Sequence, residues 1–115
     1  MKLYTLLLLL FCAFANAQDE KNAINTTIEQ GYQLVKNRTM GNCLACHMIQ
    51  GEKAPGSFGP PLVAMKARFP DRSILFNQVW DATTMNPSTS MPPFGKNMIL
   101  SKDEIEKIVS YLLTL

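Results

Sequence analysis

Cys43-Leu44-Ala45-Cys46-His47 limits what this chain can fold into more than any other stretch of its 115 residues. Two thiols two residues apart suit a disulfide, a redox dithiol or half of a structural zinc site. The residue that follows them decides. A tetrahedral zinc site needs four cysteine or histidine ligands. Cys12 aside, the sequence offers three, because His47 is its only histidine. A thioredoxin-type dithiol needs a βαβ setting, and no strand-like alternation of useful length occurs in the sequence. Cys-x-x-Cys-His is instead the signature of covalent haem attachment. A short helix-like turn sets both thiols beside the two vinyl groups of one porphyrin and holds the adjacent imidazole under the iron. The motif predicts one haem c, tethered through Cys43 and Cys46, with His47 as iron ligand.

Cys12 is set aside because of where it stands. Lys2 is followed by an almost unbroken apolar run over residues 3–14 and then by Ala15-Asn16-Ala17. A positive start, an apolar centre and a small-x-small site make a secretory signal peptide, cleaved after Ala17. A membrane anchor is the rival reading, but the run is short of the roughly 20 residues a spanning helix needs. A lipoprotein signal needs a small residue where Phe11 stands. The expected organisation is a signal peptide over residues 1–17 and one domain over 18–115, exported to the periplasm with no membrane anchor after cleavage. The formal charge of +2 falls to +1 when Lys2 is lost, and the lysines and arginines are dispersed. That distribution gives no footprint for nucleic acid. A chain this short buries a modest fraction of its surface, so a large apolar cofactor at its centre would help it fold.

The rest of the sequence reads as helices separated by long loops. Thr26-x-x-Glu29 is a capping-box pattern, and Ile28, Tyr32 and Val35 recur behind it, which predicts a first helix over about 26–38. Gly31 inside it marks a place where another helix comes close. Gly51 to Pro61 is a glycine- and proline-rich loop. Pro61 is placed to start a short helix carrying Leu62 and Met65, and Pro70 to end it. Asp71 or Ser73 caps the next, whose Ile74, Leu75, Phe76, Val79 and Trp80 give it a wide apolar surface. Asn86-Pro87 stops the following stretch. Ser101-x-x-Glu104 opens a C-terminal helix with Ile105, Ile108, Val109 and Leu112 on one face. The predicted fold is all-α, three to five helices around one haem.

The second axial ligand must come from elsewhere, and a single histidine excludes a second imidazole from this chain. Six methionines follow the leader, and most methionines fill cores. Met91 differs, because in Met91-Pro92-Pro93-Phe94-Gly95 the prolines hold the backbone extended and present the thioether. Met85 is its rival. His/Met ligation raises the reduction potential and closes the iron to small ligands. Gly59-Pro60-Pro61-Leu62 offers a backbone carbonyl for the Nδ1 proton of His47, although spacing alone fits a plain proline turn equally well.

These residues resemble the class I cytochrome c family. The resemblance implies an N-terminal helix crossing a C-terminal one, with Gly31 and Tyr32 against the face carrying Val109, Tyr111 and Leu112. It implies thioethers at Cys43 and Cys46, His47 as proximal ligand, Pro60 as acceptor for its ring and Leu62 packed on the haem. Within that family the chain is similar to SoxX, the monohaem subunit of SoxAX cytochromes. The similarity runs through Gly41 to His47, Pro55-Gly56, Gly59 to Leu62, Arg68-Phe69-Pro70, Asp81, Asn86-Pro87, Met91 to Gly95 and Leu100-Ser101. It implies Met91 as distal ligand and a heterodimer with a SoxA-type subunit. That assembly is an L-cysteine S-thiosulfotransferase, which joins thiosulfate oxidatively to a carrier-protein cysteine and passes the electrons to a downstream cytochrome c. The monohaem chain is then its electron-transfer, non-catalytic subunit. A freestanding class I electron carrier is the alternative.

Overall fold

Between Lys2 and Gln30 the sequence contains neither proline nor glycine, and the chain takes that whole stretch as helix. The computed structural model describes the backbone of residues 2–115 and the side chains of residues 17–115. Helix α1 spans Lys2–Lys36, so the expected start near Thr26 is wrong. The strong helix formers upstream carry the helix through that point, leaving no free amides for a cap to satisfy. The hydroxyls of Thr26 and Thr27 donate backwards to the carbonyls of Asn22 at 2.9 Å and Ala23 at 3.0 Å. Glu29 accepts from the Gln33 amide at 2.7 Å rather than reaching back to residue 26.

Helix α2 is a single turn, Met65–Arg68. Pro61 does not start it. The residue before a proline is pushed away from the helical region, and Pro60-Pro61 keeps this stretch extended while the Leu62 amide donates to the Met48 carbonyl at 2.8 Å. Pro70 follows the end of α2, and the Asp71 carboxylate then caps α3 (Arg72–Trp80) by accepting from the Ser73 amide at 2.8 Å. Of the wide apolar face expected for α3, Leu75 and Val79 are buried, Phe76 and Trp80 stack on each other half-buried, and Ile74 stays exposed.

Helix α4 spans Lys102–Leu112 and opens on the full capping box between Ser101 and Glu104. Its Ile105, Ile108, Val109 and Leu112 are all buried, as their spacing predicts. α4 crosses α1 at Gly31. A Cβ on Gly31 would lie 2.0 Å from the Lys107 carbonyl oxygen and 3.0 Å from the Tyr111 Cβ. The rings of Tyr32 and Tyr111 pack at a tilt beside this contact with centroids 5.2 Å apart. Around the crossing lies one core, to which Val35, Ile49, Leu62, Met65, Phe94 and Leu100 contribute together with α3 and α4. The architecture is all-α, and among the described residues no helix is long and apolar enough to cross a membrane.

Candidate functional site

The site is assembled from two irregular stretches that the helices frame, residues 37–64 and 81–101. Cys43–Ala45 form one 3-10 turn entered through Asn42, which sits in the left-handed region at φ 48°. That turn brings Cys46 and His47 round, with the His47 amide donating to the Cys43 carbonyl at 2.9 Å. Neither Cys43 nor Cys46 is in a disulfide. Cys43 packs its side chain against the core, and this burial pushes its thiol up to about 11 by disfavouring the thiolate.

A returning strand of loop is laid along the motif. The amides of Gly56 and Gly59 donate to the carbonyls of Leu44 at 2.7 Å and Cys46 at 2.8 Å. Both glycines are needed for this approach. A Cβ on Gly56 would lie 2.1 Å from the Ala45 carbonyl oxygen, and one on Gly59 would lie 2.6–3.0 Å from three atoms of the His47 ring. Immediately after Gly59, the Pro60 carbonyl oxygen lies 2.7 Å from Nδ1 of His47. A carbonyl only accepts, so Nδ1 carries the proton and Nε2 presents a lone pair. Leu62 is buried in the core. The guanidinium of Arg68 donates to the Pro61 carbonyl at 2.8 Å and thus ties α2 to the segment that steers His47.

On the other stretch, Met91 is half-buried against the core, whereas Met85 is 61% exposed and Met98 89% exposed. Of the two methionines weighed as ligands, Met91 is the one turned inward. The donor set fits a covalently held haem: two free thiols, an imidazole with one nitrogen committed, and an inward thioether. Large apolar side chains on both stretches, Met48, Phe58 and Val63 on one and Met85 and Ile99 on the other, remain exposed, the kind of surface a broad apolar cofactor would cover.

The family model for cytochrome c matches residues 28–115. The chain belongs to the cytochrome c family. Membership implies covalently bound haem c and an electron-transfer domain, and Cys43, Cys46 and His47 supply the attachment motif. No curated protein matches the chain significantly. Among solved structures, this cytochrome c is similar to a chain in the crystal structure of SoxXA from P. pantotrophus. The two share 28% identity and a TM-score of 0.67 over 75% of this chain and 79% of that one. The resemblance to SoxX-type monohaem cytochromes and the class I all-α fold read from the sequence both agree with this likeness.

Three features of the site escaped the sequence reading. Gly59 stood in the sequence as a loop glycine, but nothing local to it signals a ring packed on its α-carbon. Arg68 and Asp81 stood among the residues shared with SoxX, with no role attached. Arg68 reaches back seven residues and Asp81 pairs with Lys96 fifteen residues on, separations that no periodicity reports.

Proposed function

We propose that this cytochrome c is the electron-transfer, non-catalytic subunit of a SoxAX-type L-cysteine S-thiosulfotransferase, working in the periplasm after residues 1–17 are removed. The observation that carries this reading is the likeness to SoxXA over most of both chains. Joining thiosulfate to a cysteine thiolate of a carrier protein forms an S–S bond and releases two electrons, which need an acceptor. Haem c, when bound, supplies a one-electron iron centre.

The residues of this chain hold and tune that centre. Cys43 and Cys46 are consumed as thioethers, which leaves the mature chain no thiol with which to conjugate thiosulfate. A SoxA-type partner must bring the catalytic group. His47, oriented by Pro60, would hold the iron through Nε2, and Met91 would hold it through its sulfur. A hydrogen bond from Nδ1 makes imidazole a better donor, while the thioether favours the reduced state. With His47 and Met91 both holding the iron, the chain would take and pass on electrons without binding small molecules. A downstream cytochrome c receives them.

The small all-α cytochrome c fold also suits the alternative, a freestanding soluble class I electron carrier. Purification of the protein from a periplasmic extract separates the two. The subunit reading expects a coloured chain beginning at Gln18, heavier by one haem, that travels with a larger haem protein. Removing it should stop thiosulfate-dependent reduction of a downstream cytochrome by that partner. A chain that emerges alone, with the conjugating activity intact in its absence, would establish the carrier.

A further inference from the structure

Asp81 is the one charged side chain buried among the described residues, and electron transfer as described makes no use of it. It stands where α3 ends. Its carboxylate accepts from the Thr83 amide at 3.1 Å and from the Thr83 hydroxyl, which caps the 3-10 turn Ala82–Thr84. Its other oxygen accepts from Nζ of Lys96 at 2.8 Å. Next to it, the Trp80 carbonyl accepts from the amides of Gly95 at 3.1 Å and Lys96 at 3.2 Å. Gly95 lies flat on the Trp80 indole, where a Cβ would come within 2.1 Å.

Residues 81–96 therefore form a loop whose two ends are clasped together, and Met91 rides on it. Among the described residues, no backbone hydrogen bond joins residues 87–93 to anything outside residues 82–100. The far side of the loop hangs from its base and from the inward packing of Met91 and Phe94. What clasps the base therefore decides where the thioether stands. Once Asp81 and Lys96 part, the loop recovers conformational freedom that opposes a fixed sulfur position.

On the reading of Met91 as distal ligand, we propose that Asp81 and Lys96 are a positioning pair that latches the 81–96 loop and so holds the Met91 sulfur at the iron. The pair spans the surface, with the Lys96 side chain 60% exposed and that of Asp81 9% exposed. Removing the ammonium leaves Asp81 both Thr83 donors and the Trp80 carbonyl both its amides, so the turn, the core and the backbone part of the base persist while the side-chain clasp is lost. The latch is thus separable from the fold.

The test uses the haem-loaded protein as wild type, Lys96→Met, Lys96→Arg, Asp81→Asn and the double variant Asp81→Asn/Lys96→Met. Two quantities are read in the ferric state: the sulfur-to-iron charge-transfer absorption and the affinity for added imidazole, which competes with the thioether. Opening the latch raises the fraction of molecules with a vacated sulfur position, and apparent affinity scales with that fraction. Lys96→Met is expected to bind imidazole up to about fivefold more tightly and to lose part of the absorption, with helical content unchanged. Lys96→Arg restores both readings, and the double variant matches the Lys96 single rather than adding to it. Wild-type imidazole affinity in both Lys96→Met and Asp81→Asn, with the absorption intact, overturns the latch and leaves the ligand assignment standing. Absence of the absorption from the wild type overturns the ligand assignment itself, and the latch with it.

Discussion

The Pro60 carbonyl oxygen and Nδ1 of His47 lie 2.7 Å apart, and the glycine preceding that proline is the floor on which the imidazole rests. The two contacts are coupled, because Gly59 and Pro60 are adjacent. Replacing Gly59 by alanine drives a methyl group within 2.6–3.0 Å of three ring atoms, so either the ring or the loop must retreat and the hydrogen bond lengthens. A weaker bond at Nδ1 makes the imidazole a poorer donor and destabilises the ferric state. Gly59→Ala is expected to raise the reduction potential and to cost about 1–3 kcal/mol of stability through overpacking. Potentiometric titration beside thermal melting checks both, and an unchanged potential would count against the steering role of Pro60.

The crossing of α1 on α4 has no slack at Gly31. The obstacle is the backbone oxygen of Lys107, 2.0 Å from a built Cβ, and a backbone atom cannot swing aside as a side chain can. Alanine at position 31 gains up to about 1 kcal/mol of helix propensity against an overpacking cost of about 1–3 kcal/mol. The net effect should be a melting point lower by several degrees, since about 1 kcal/mol moves a domain of this size by roughly 4–8 °C. Near-ultraviolet circular dichroism should change too, because the Tyr32 and Tyr111 rings pack on each other beside the contact. A melting point equal to or above that of the parent protein would sink this account.

Much of this fold was legible because its signals are local. The box at Ser101 and Glu104, the stripe from Ile105 to Leu112 and the cap at Asp71 each need only a few neighbouring residues, and each stands where the sequence places it. The capping pattern at Thr26 misled because a cap acts only where a helix begins, and the helical residues before it remove that condition. Pro61 misled for a similar reason, since the proline in front of it fixes extended backbone. The Cys43-to-His47 motif carries its own chemistry, so the attachment point was plain. Pro60 was within reach of the sequence as the acceptor for His47, but Gly59 under the ring, Arg68 behind Pro61 and the pairing of Asp81 with Lys96 depend on contacts that only the folded chain makes.

Met91 and Met85 offer a direct contrast of buried and exposed thioethers. Met91 packs against the core, while Met85 is 61% exposed. In the haem-loaded protein, Met91→Ala should abolish the sulfur-to-iron absorption, lower the potential and allow carbon monoxide to bind the reduced form. Met85→Ala should leave all three as they are. The reverse pattern would move the ligand to residue 85.

Acid should loosen the protein through carboxylates already engaged in hydrogen bonds. The Ser73 hydroxyl and amide hold the Asp71 carboxyl below its usual range, and Lys96 with Thr83 does the same for Asp81. Tyr32 does so for Glu52. A group with a lowered folded-state value contributes its full stability above the unfolded value, near pH 4, and loses it as pH falls through the folded one. Stability should therefore be level from neutral pH to about 5 and decline below about 4. Asp71→Asn should narrow its difference from the parent protein as pH drops through that window, measured by urea unfolding at each pH. A gap that stays constant down to pH 2 would remove Asp71 from the acid response.

Arg68 acts on the same imidazole from one step further out. Its guanidinium donates to the Pro61 carbonyl at 2.8 Å and reaches toward that of Val63 at 3.4 Å, so it braces the chain on the far side of Pro60. Because the side chain is exposed, truncating it leaves no cavity in the core, and the loss is one of loop order rather than of burial. A looser Pro60 samples positions with a longer bond to Nδ1, which shifts the potential as Gly59→Ala does but less far. Arg68→Ala should therefore raise the potential slightly with a melting point lowered by no more than a few degrees, consistent with about 1 kcal/mol for one hydrogen-bonded contact. Lysine at 68 keeps the charge but not the planar guanidinium whose Nη1 lies between the Pro61 and Val63 carbonyls, so it should restore the potential only in part. A potential lowered in Arg68→Ala and restored by lysine would show that charge near the site, not the brace on Pro61, sets the effect.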